Sequence, residues 1–301
     1  TSGSASLIRN LIVGLTVSFV ALSLGAAFGI LSGRGAFAGM ISAGIISILT
    51  SLLGGTRVQC SGPTAPMSVV AATVVALAHD ELAAKLPGAV PDHFINTVFL
   101  LAGAIMVAMA ALRLGRFITL VPNVVVSGFM NGIALLIWIG QGEKIFGLSE
   151  AEAFAGSLAQ NLVLAGATLL TIFALPTITN RLIPRYARYM PPATLTALIV
   201  VTAAAYLNGA QVGTIDLQGG ASTMGELFEL IANQWPRDFS TPLLLLALPF
   251  ALQLALLCYL DTLLTSLVID HLTGEKTRQD KELAAQGIAN GAVALVGGIP
   301  G

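Results

Sequence analysis

The chain has 301 residues, of which 14 are basic and 15 acidic, so charged residues make up only 10 % of it, against roughly 25 % in an ordinary soluble domain. With 55 % hydrophobic residues and a mean hydropathy of +0.87, it cannot cover a water-facing surface with charge, which excludes a soluble globular enzyme. The net charge of −1 leaves no basic footprint for nucleic acid, and long apolar runs with 6 % aromatic residues point to membrane helices rather than a β-barrel. The expected fold class is therefore an all-α polytopic membrane protein.

Charge-poor windows divide the chain into nine candidate spans, at 10–33, 35–56, 58–79, 94–112, 117–142, 153–180, 189–215, 239–260 and 283–301. Each is about long enough to cross a hydrocarbon core of roughly 30 Å at 1.5 Å per residue. The first is too long for a cleavable leader. In it Gly25, Gly29 and Gly33 recur every four residues, as Gly287 and Gly291 do in the ninth, a spacing that lets helix backbones approach closely. The third opens on Cys60-Ser61-Gly62-Pro63-Thr64-Ala65-Pro66. Proline suits the first turn of a helix and cannot sit quietly inside one. A half-helix beginning near Pro63 inside the membrane would turn free N–H groups toward a cavity, a ready site for a small anion, with the Thr64 and Ser68 hydroxyls as further donors. The alternative is a proline kink repaired by neighbouring helices.

The eighth window continues past Asp261 toward Asp270, which places Asp261 inside a span with no basic residue near it in sequence. A carboxylate at membrane depth is costly, so it generally faces a cavity, binds a cation or carries a proton. Thr265 lies one turn on, on the same helix face, and a carboxylate with a hydroxyl suits a hard cation such as Na⁺. Were the eighth span to end early, Asp261 would sit at the interface instead. The other charges fall into loops and span ends. With the N-terminus inside, Arg9, Arg57, Arg113, Arg116, Arg181, Arg185, Arg188, Lys276, Arg278 and Lys281 are cytoplasmic, and only Arg34, Lys85, Lys144 and Arg237 lie outside. That bias agrees with a multi-pass protein whose N-terminus is cytoplasmic, in a bacterial plasma membrane. Acids run the other way, with Glu150, Glu152, Asp216 and Asp238 among those outside.

The ends of the second and ninth spans echo one another at a constant offset of 243 positions (Gly44 to Gly287, Gly54 to Gly297). Because the two spans cross in opposite directions, a repeat at this offset is inverted, the usual construction of secondary transporters. The two cysteines, Cys60 and Cys258, have no metal or redox spacing and read as small packing residues. The scattered His79, His93 and His271 offer no metal site.

These stretches together resemble the SulP family of anion permeases, which includes bicarbonate and sulfate transporters and a motor protein. The resemblance rests on Ala26-Ala27-Phe28-Gly29, Gly62-Pro63-Thr64-Ala65-Pro66-Met67 and Ser127-Gly128-Phe129-Met130-Asn131-Gly132-Ile133, with Leu260-Asp261-Thr262-Leu263-Leu264-Thr265-Ser266, Gln286-Gly287-Ile288-Ala289-Asn290 and Gly297-Gly298-Ile299-Pro300-Gly301 further on. It is strongest toward the cyanobacterial-type sodium-dependent bicarbonate transporters, which carry a similar Asp-x-x-x-Thr pair. The resemblance implies two inverted seven-span repeats, with a core domain at 1–114 and 239–301 and a gate domain at 115–238. It also implies that the second repeat, from its span 10 onward, and a cytoplasmic STAS domain lie outside this chain. Thr64 and Ala65 match the family's anion contacts, Phe28 an aromatic beside the site, and Asp261 and Thr265 the sodium ligands. Ser23 departs from the family pattern, standing where a proline is common. The expected activity is Na⁺-coupled bicarbonate symport, with no cofactor other than Na⁺ or H⁺ as coupling ion. The expected partners are the small anion, the lipid bilayer and a second copy in a homodimer. Proton-coupled sulfate or dicarboxylate symport on the same fold, and a passive anion channel or motor protein, are the alternatives, and an enzyme is not expected.

Overall fold

A computed structural model describes residues 2–148, 156–182, 193–210, 224–237 and 239–301, and among them the regular structure is helical throughout. Residues 153–155, 189–192 and 211–215 of the sixth and seventh expected spans lie outside the described residues, as do the topology charges Glu150, Glu152, Arg185, Arg188, Asp216 and Asp238.

The chain divides into two compact units, Thr1–Val20 with Ala134–Ile215, and Ala21–Ile133 with Asp216–Gly301. In the first, α7 (Leu158–Leu182) packs on α8 (Ala193–Leu207). The second unit holds the second half of α1 (Ser2–Leu31), then α2 (Ala36–Leu53), α3 (Ala65–Asp80), the short α4 (Leu82–Lys85) and α5 (Pro91–Ala111). A 3₁₀ segment, Leu114–Leu120, leads to α6 (Asn123–Phe146), and α9 (Met224–Gln234), α10 (Thr241–Thr273) and α11 (Gln279–Leu295) complete the order.

Helix α5 is the hub of the second unit, touching α3, α9, α10, α11 and the 3₁₀ segment. Phe94, Phe99 and Met106 of α5, Leu254, Leu263 and Leu264 of α10, and Met67 and Val74 of α3 are buried in one core. Between apolar helices in lipid, close backbone packing replaces the hydrophobic drive that water supplies, and the glycine pattern serves that need. A Cβ on Gly103 of α5 would stand 2.6 Å from the Gly287 carbonyl oxygen and 2.7 Å from the Gly291 amide nitrogen of α11. Gly25 and Gly29 of α1 meet Gly39 of α2 in the same way. Gly33 does not share that role: it lies beyond the end of α1, in a turn with φ +76°.

Five helical stretches are long and apolar enough to cross a membrane among the described residues: Val13–Leu31, Ala36–Leu53, Pro91–Ala111, Leu158–Arg181 and Thr241–Thr273. Three of the other expected spans, the third, fifth and ninth, depart from their expected bounds for visible reasons. In the third span the helix starts only at Ala65, and its 16 residues reach about 24 Å, less than the hydrocarbon core. The fifth begins at Asn123 rather than 117, because Pro122 follows the 3₁₀ turn and leaves no donor to continue it. The ninth stops at Leu295 rather than running to 301. There Gly298 returns its amide to the Val293 carbonyl at 2.8 Å, with Gly297 at φ +75°, the turn that ends a helix in a left-handed glycine. The eighth does run on as expected: α10 continues to Thr273 and ends at Gly274, φ 73°, whose amide bonds to the Asp270 carbonyl. The starts of α2 and α11, Ala36 and Gln279, keep the 243-position offset read from the sequence.

Candidate functional site

The third span delivers a broken helix whose N-terminus is free. Thr64 is the N-cap of α3, with Pro66 in the first turn, and Ser68 returns its amide to the Thr64 carbonyl at 3.0 Å. The first N–H groups of a helix have no partner within it, so the amides of Ala65 and Met67 remain to meet a ligand, Pro66 having none. Threonine at such a position ordinarily caps its own helix, yet the Thr64 hydroxyl makes no cap hydrogen bond. It lies instead beside Asp261 of α10, with no hydrogen bond made to its buried oxygen among the described residues. The tertiary structure thus brings together Thr64, Ala65 and Asp261, which are nearly two hundred positions apart in the sequence.

The other sequence-derived candidates fall as follows. Thr265 is half-buried one helical turn beyond Asp261, on the same face of α10. Ser68 is fully buried, and its hydroxyl donates to the Thr64 carbonyl at 2.8 Å. Its proton is therefore engaged, and it braces the first turn of α3. Phe28 is half-buried near the end of α1, its carbonyl taking the Ser32 amide at 2.9 Å. No polar contact links it to the Thr64–Asp261 pair.

Against the N-terminus of α3 lies the segment that follows α11. A Cβ on Gly301 would stand 2.7 Å from the Pro63 nitrogen and closer still to the Gly62 carbonyl, so the two extended segments touch backbone to backbone. Gly301 is held from behind by side chains of α11 and α10. Its N–H donates to Asn290 Oδ1 at 2.8 Å, and its carbonyl accepts from Asn290 Nδ2 at 2.9 Å and Gln286 Nε2 at 2.6 Å. The Cys258 thiol donates to the same carbonyl at 3.2 Å. On the opposite side, Ser47 of α2 donates to the Ser61 carbonyl at 2.8 Å, and Ser42 accepts the Ile299 amide at 2.7 Å. Ser47 and Asn290 stand at the 243-position offset, so each repeat uses the same helix position to hold an extended segment. Cys258, read from the sequence as a packing residue, is part of this polar cluster. The signal that could have found Gln286 and Asn290 is their chemistry: two amides one turn apart on an apolar helix, where an unpaired polar group is costly.

Asp261 is also not the one charge taken out of solvent. Glu282, 1 % exposed at the start of α11, accepts the Gly55 and Thr56 amides at 2.7 and 3.3 Å. The Arg34 side chain, 6 % exposed, pairs with Asp92 at 3.0 Å. It also donates to Asn96 Oδ1, Gln234 Oε1 and the Gly297 carbonyl, each at 3.0 Å. Burial lowers the Arg34 pKa and the Asp92 carboxylate opposes that shift. Arg34 and Glu282 are both buried because they satisfy backbone or side-chain groups of loops that the helices bring together.

A helix N-terminus beside a half-buried acid is the kind of arrangement on which transporter sites are built. Residues 7–301 match the sulfate permease family, and the chain belongs to that family, whose members are integral membrane transporters rather than enzymes. It is 32 % identical over 96 % of its length to the bicarbonate transporter BicA of Picosynechococcus sp., and 34 % identical over 97 % to BicA of Synechocystis sp., covering 50 % of each. It is also 30 % identical, over 97 % of its length and 53 % of the relative's, to the putative sulfate transporter YvdB of Bacillus subtilis. The fold matches the transmembrane domain of a cyanobacterial bicarbonate transporter BicA with a TM-score of 0.70 and 29 % identity, covering 95 % of this chain and 71 % of that one. The chain spans about half the length of the curated relatives it matches.

Proposed function

We propose that the chain carries the ion and substrate sites of a Na⁺-coupled symporter for a small inorganic anion, with bicarbonate as the cargo. The observation that carries this reading is the placement of Asp261 beside Thr64 at the free N-terminus of α3. The anion binds at the Ala65 and Met67 amides and the Thr64 hydroxyl, where the helix end favours negative charge. Na⁺ binds at the Asp261 carboxylate and the Thr265 hydroxyl, and among the described residues no basic side chain forms an ion pair with Asp261.

Coupling follows from the adjacency. Two like charges about 6 Å apart at an effective dielectric of about 20 repel by about 3 kcal/mol, roughly a hundredfold in affinity. An anion at the α3 N-terminus is therefore disfavoured while Asp261 is an uncompensated carboxylate, and favoured once a cation sits on it. Linkage makes the effect reciprocal, so the anion raises Na⁺ affinity by the same factor. The loaded core, residues 1–114 and 239–301, then moves against the gate at 115–238 to expose the site to the other side of a bacterial plasma membrane, in a homodimer with cytoplasmic N-termini.

Uptake of labelled bicarbonate by the full-length protein in proteoliposomes tests this. An Asp261→Asn protein is expected to lose the stimulation by an inward Na⁺ gradient, and full Na⁺-driven flux in that variant overturns the cation role. Similarity to a putative sulfate transporter favours sulfate as the second cargo. Uptake driven by a pH gradient and indifferent to Na⁺ would assign Asp261 to a proton instead.

A further inference from the structure

One peptide group of the second unit is held by both of its polar atoms. The Leu114 carbonyl accepts from the Tyr259 hydroxyl of α10 at 3.0 Å. Across the same peptide bond, the Gly115 N–H donates to Asp280 Oδ1, in the first turn of α11, at 2.8 Å. Two helices thus grip a single rigid plane. The fit leaves room for glycine alone, since a Cβ on Gly115 would stand 2.7 Å from Asp280 Oδ1 and 2.9 Å from the Asp280 amide nitrogen.

This peptide opens the 3₁₀ segment that links α5 to α6, just after Arg113 turns the chain with φ 58°, a left-handed value rare outside glycine. Further along the linker Ile118 is fully buried in the core with residues of α5 and α10, and Val121 packs against that core. Pro122 follows, fixing its own φ and restricting that of Val121. The linker therefore lies on the core helices from Leu114 to Val121. The first turn of α11 also holds the chain that leaves α2, through Glu282 on the Gly55 and Thr56 amides. Asp261 stands two positions beyond Tyr259 on α10, about 200° round the helix, so the cation site and the grip on the linker share one rod. A loop peptide needs only one neighbour or water at each polar atom. Here side chains of two separate helices converge on one peptide, where the chain passes from the core to α6.

We propose that Tyr259 and Asp280 are positioning residues of the transport step: by gripping the Leu114–Gly115 peptide they bind the linker to the helices that carry the substrate and place the pivot between core and gate at Pro122. This inference rests on the core-against-gate reading above, and it moves the edge of the core from residue 114 to residue 121. A linker that peeled away would absorb the displacement of the core as slack, whereas a clamped one delivers it to the start of α6. Among the described residues neither side chain bonds to Thr64, Asp261 or Thr265, so turnover depends on the clamp and affinity does not.

The test is labelled bicarbonate uptake by the full-length protein in proteoliposomes under an inward Na⁺ gradient, with rates taken per monodisperse protein. Tyr259→Phe removes only the hydroxyl, and Asp280→Ala removes the acceptor. Each is expected to lower the maximal rate by about threefold to tenfold, the worth of one hydrogen bond, with the bicarbonate KM and the half-saturating Na⁺ concentration changed by less than about twofold. Asp280→Asn keeps an oxygen for the Gly115 amide and is expected to recover most of the rate. Hydrogen exchange in residues 114–121 is expected to be slow in the wild type and several-fold faster in Tyr259→Phe, with α5 unchanged. An unchanged maximal rate in both variants, a KM that rises at constant maximal rate, or an Asp280→Asn protein as slow as Asp280→Ala overturns the proposal. Unprotected exchange of 114–121 in the wild type overturns it without any variant, should the variants fail to fold. Absence of any anion uptake by the wild type fails the transport reading instead, and the exchange measurement tells the two failures apart.

Discussion

Replacing Arg34 by alanine should destabilise the second unit severely, although the residue is remote from the Thr64–Asp261 pair. The guanidinium gathers four acceptors from three elements: Asp92 and Asn96 at the start of α5, Gln234 at the end of α9, and the Gly297 carbonyl after α11. Their losses are unequal. Asp92 is half exposed, at 49 %, so water replaces the lost partner there and its share is near zero. Gln234 Oε1 keeps one donor, Asn96 Nδ2 at 3.0 Å. Asn96 Oδ1 and the Gly297 carbonyl lose the arginine bond outright, at about 1–3 kcal/mol for each acceptor left buried. Adding a smaller loss at Gln234 brings the sum to about 2–7 kcal/mol, which brackets the usual cost, about 3–5 kcal/mol, of removing one member of a buried charged network. A point charge on lysine cannot reach four acceptors spread around a planar fork, so Arg34→Lys should recover less than half of that. Thermal unfolding of the purified protein in detergent reads the effect. At roughly 2–4 °C per kcal/mol, the alanine variant should melt about 10 °C lower. Hydrogen exchange should show faster amides in α9 first, since Gln234 holds that helix to α5 through this network. A melting temperature within 2 °C of wild type, or full rescue by lysine, would refute the argument that the buried fork binds these elements together.

Two further outcomes follow from the packing. Gly103→Ala places a methyl group 2.6 Å from the Gly287 carbonyl oxygen and 2.7 Å from the Gly291 amide nitrogen, both backbone atoms that cannot swing away. Helix α11 must shift away, and the yield of monodisperse protein should fall sharply in fluorescence-detected size exclusion, whereas Gly44→Ala, with nothing within 4 Å, should behave as wild type. Glu282→Ala removes the acceptor of the Gly55 and Thr56 amides, leaving two backbone donors at about 1–3 kcal/mol each where water does not replace it. Trypsin should then cut at the exposed Arg57 several-fold faster, and an unchanged cleavage rate would show that the loop is held by other contacts.

Much of this protein was legible in one dimension. The scarcity of charge and the lengths of the apolar windows determined the membrane class, because lipid offers no partner for backbone groups and admits only helices or closed barrels. Pro63 and Pro66 determined the start of the half-helix to within two residues, since proline is tolerated only in the first turn. The acid of the eighth span marked the residue that the fold sets beside the start of α3, and the glycine pairs marked the close helix contacts. What no local pattern contained was company. Gln286 and Asn290 read as ordinary residues of a span until α11 carried them behind Gly301, and Arg34 and Glu282 read as loop charges until loops far apart in sequence closed over them. Propensity and hydropathy act within a few turns, whereas a polar group is driven to whatever partner the fold leaves within hydrogen-bond reach. The sequence by itself thus determined where the chain must break and bury a charge; only the tertiary structure decided which groups meet at the break, because that depends on contacts across hundreds of residues.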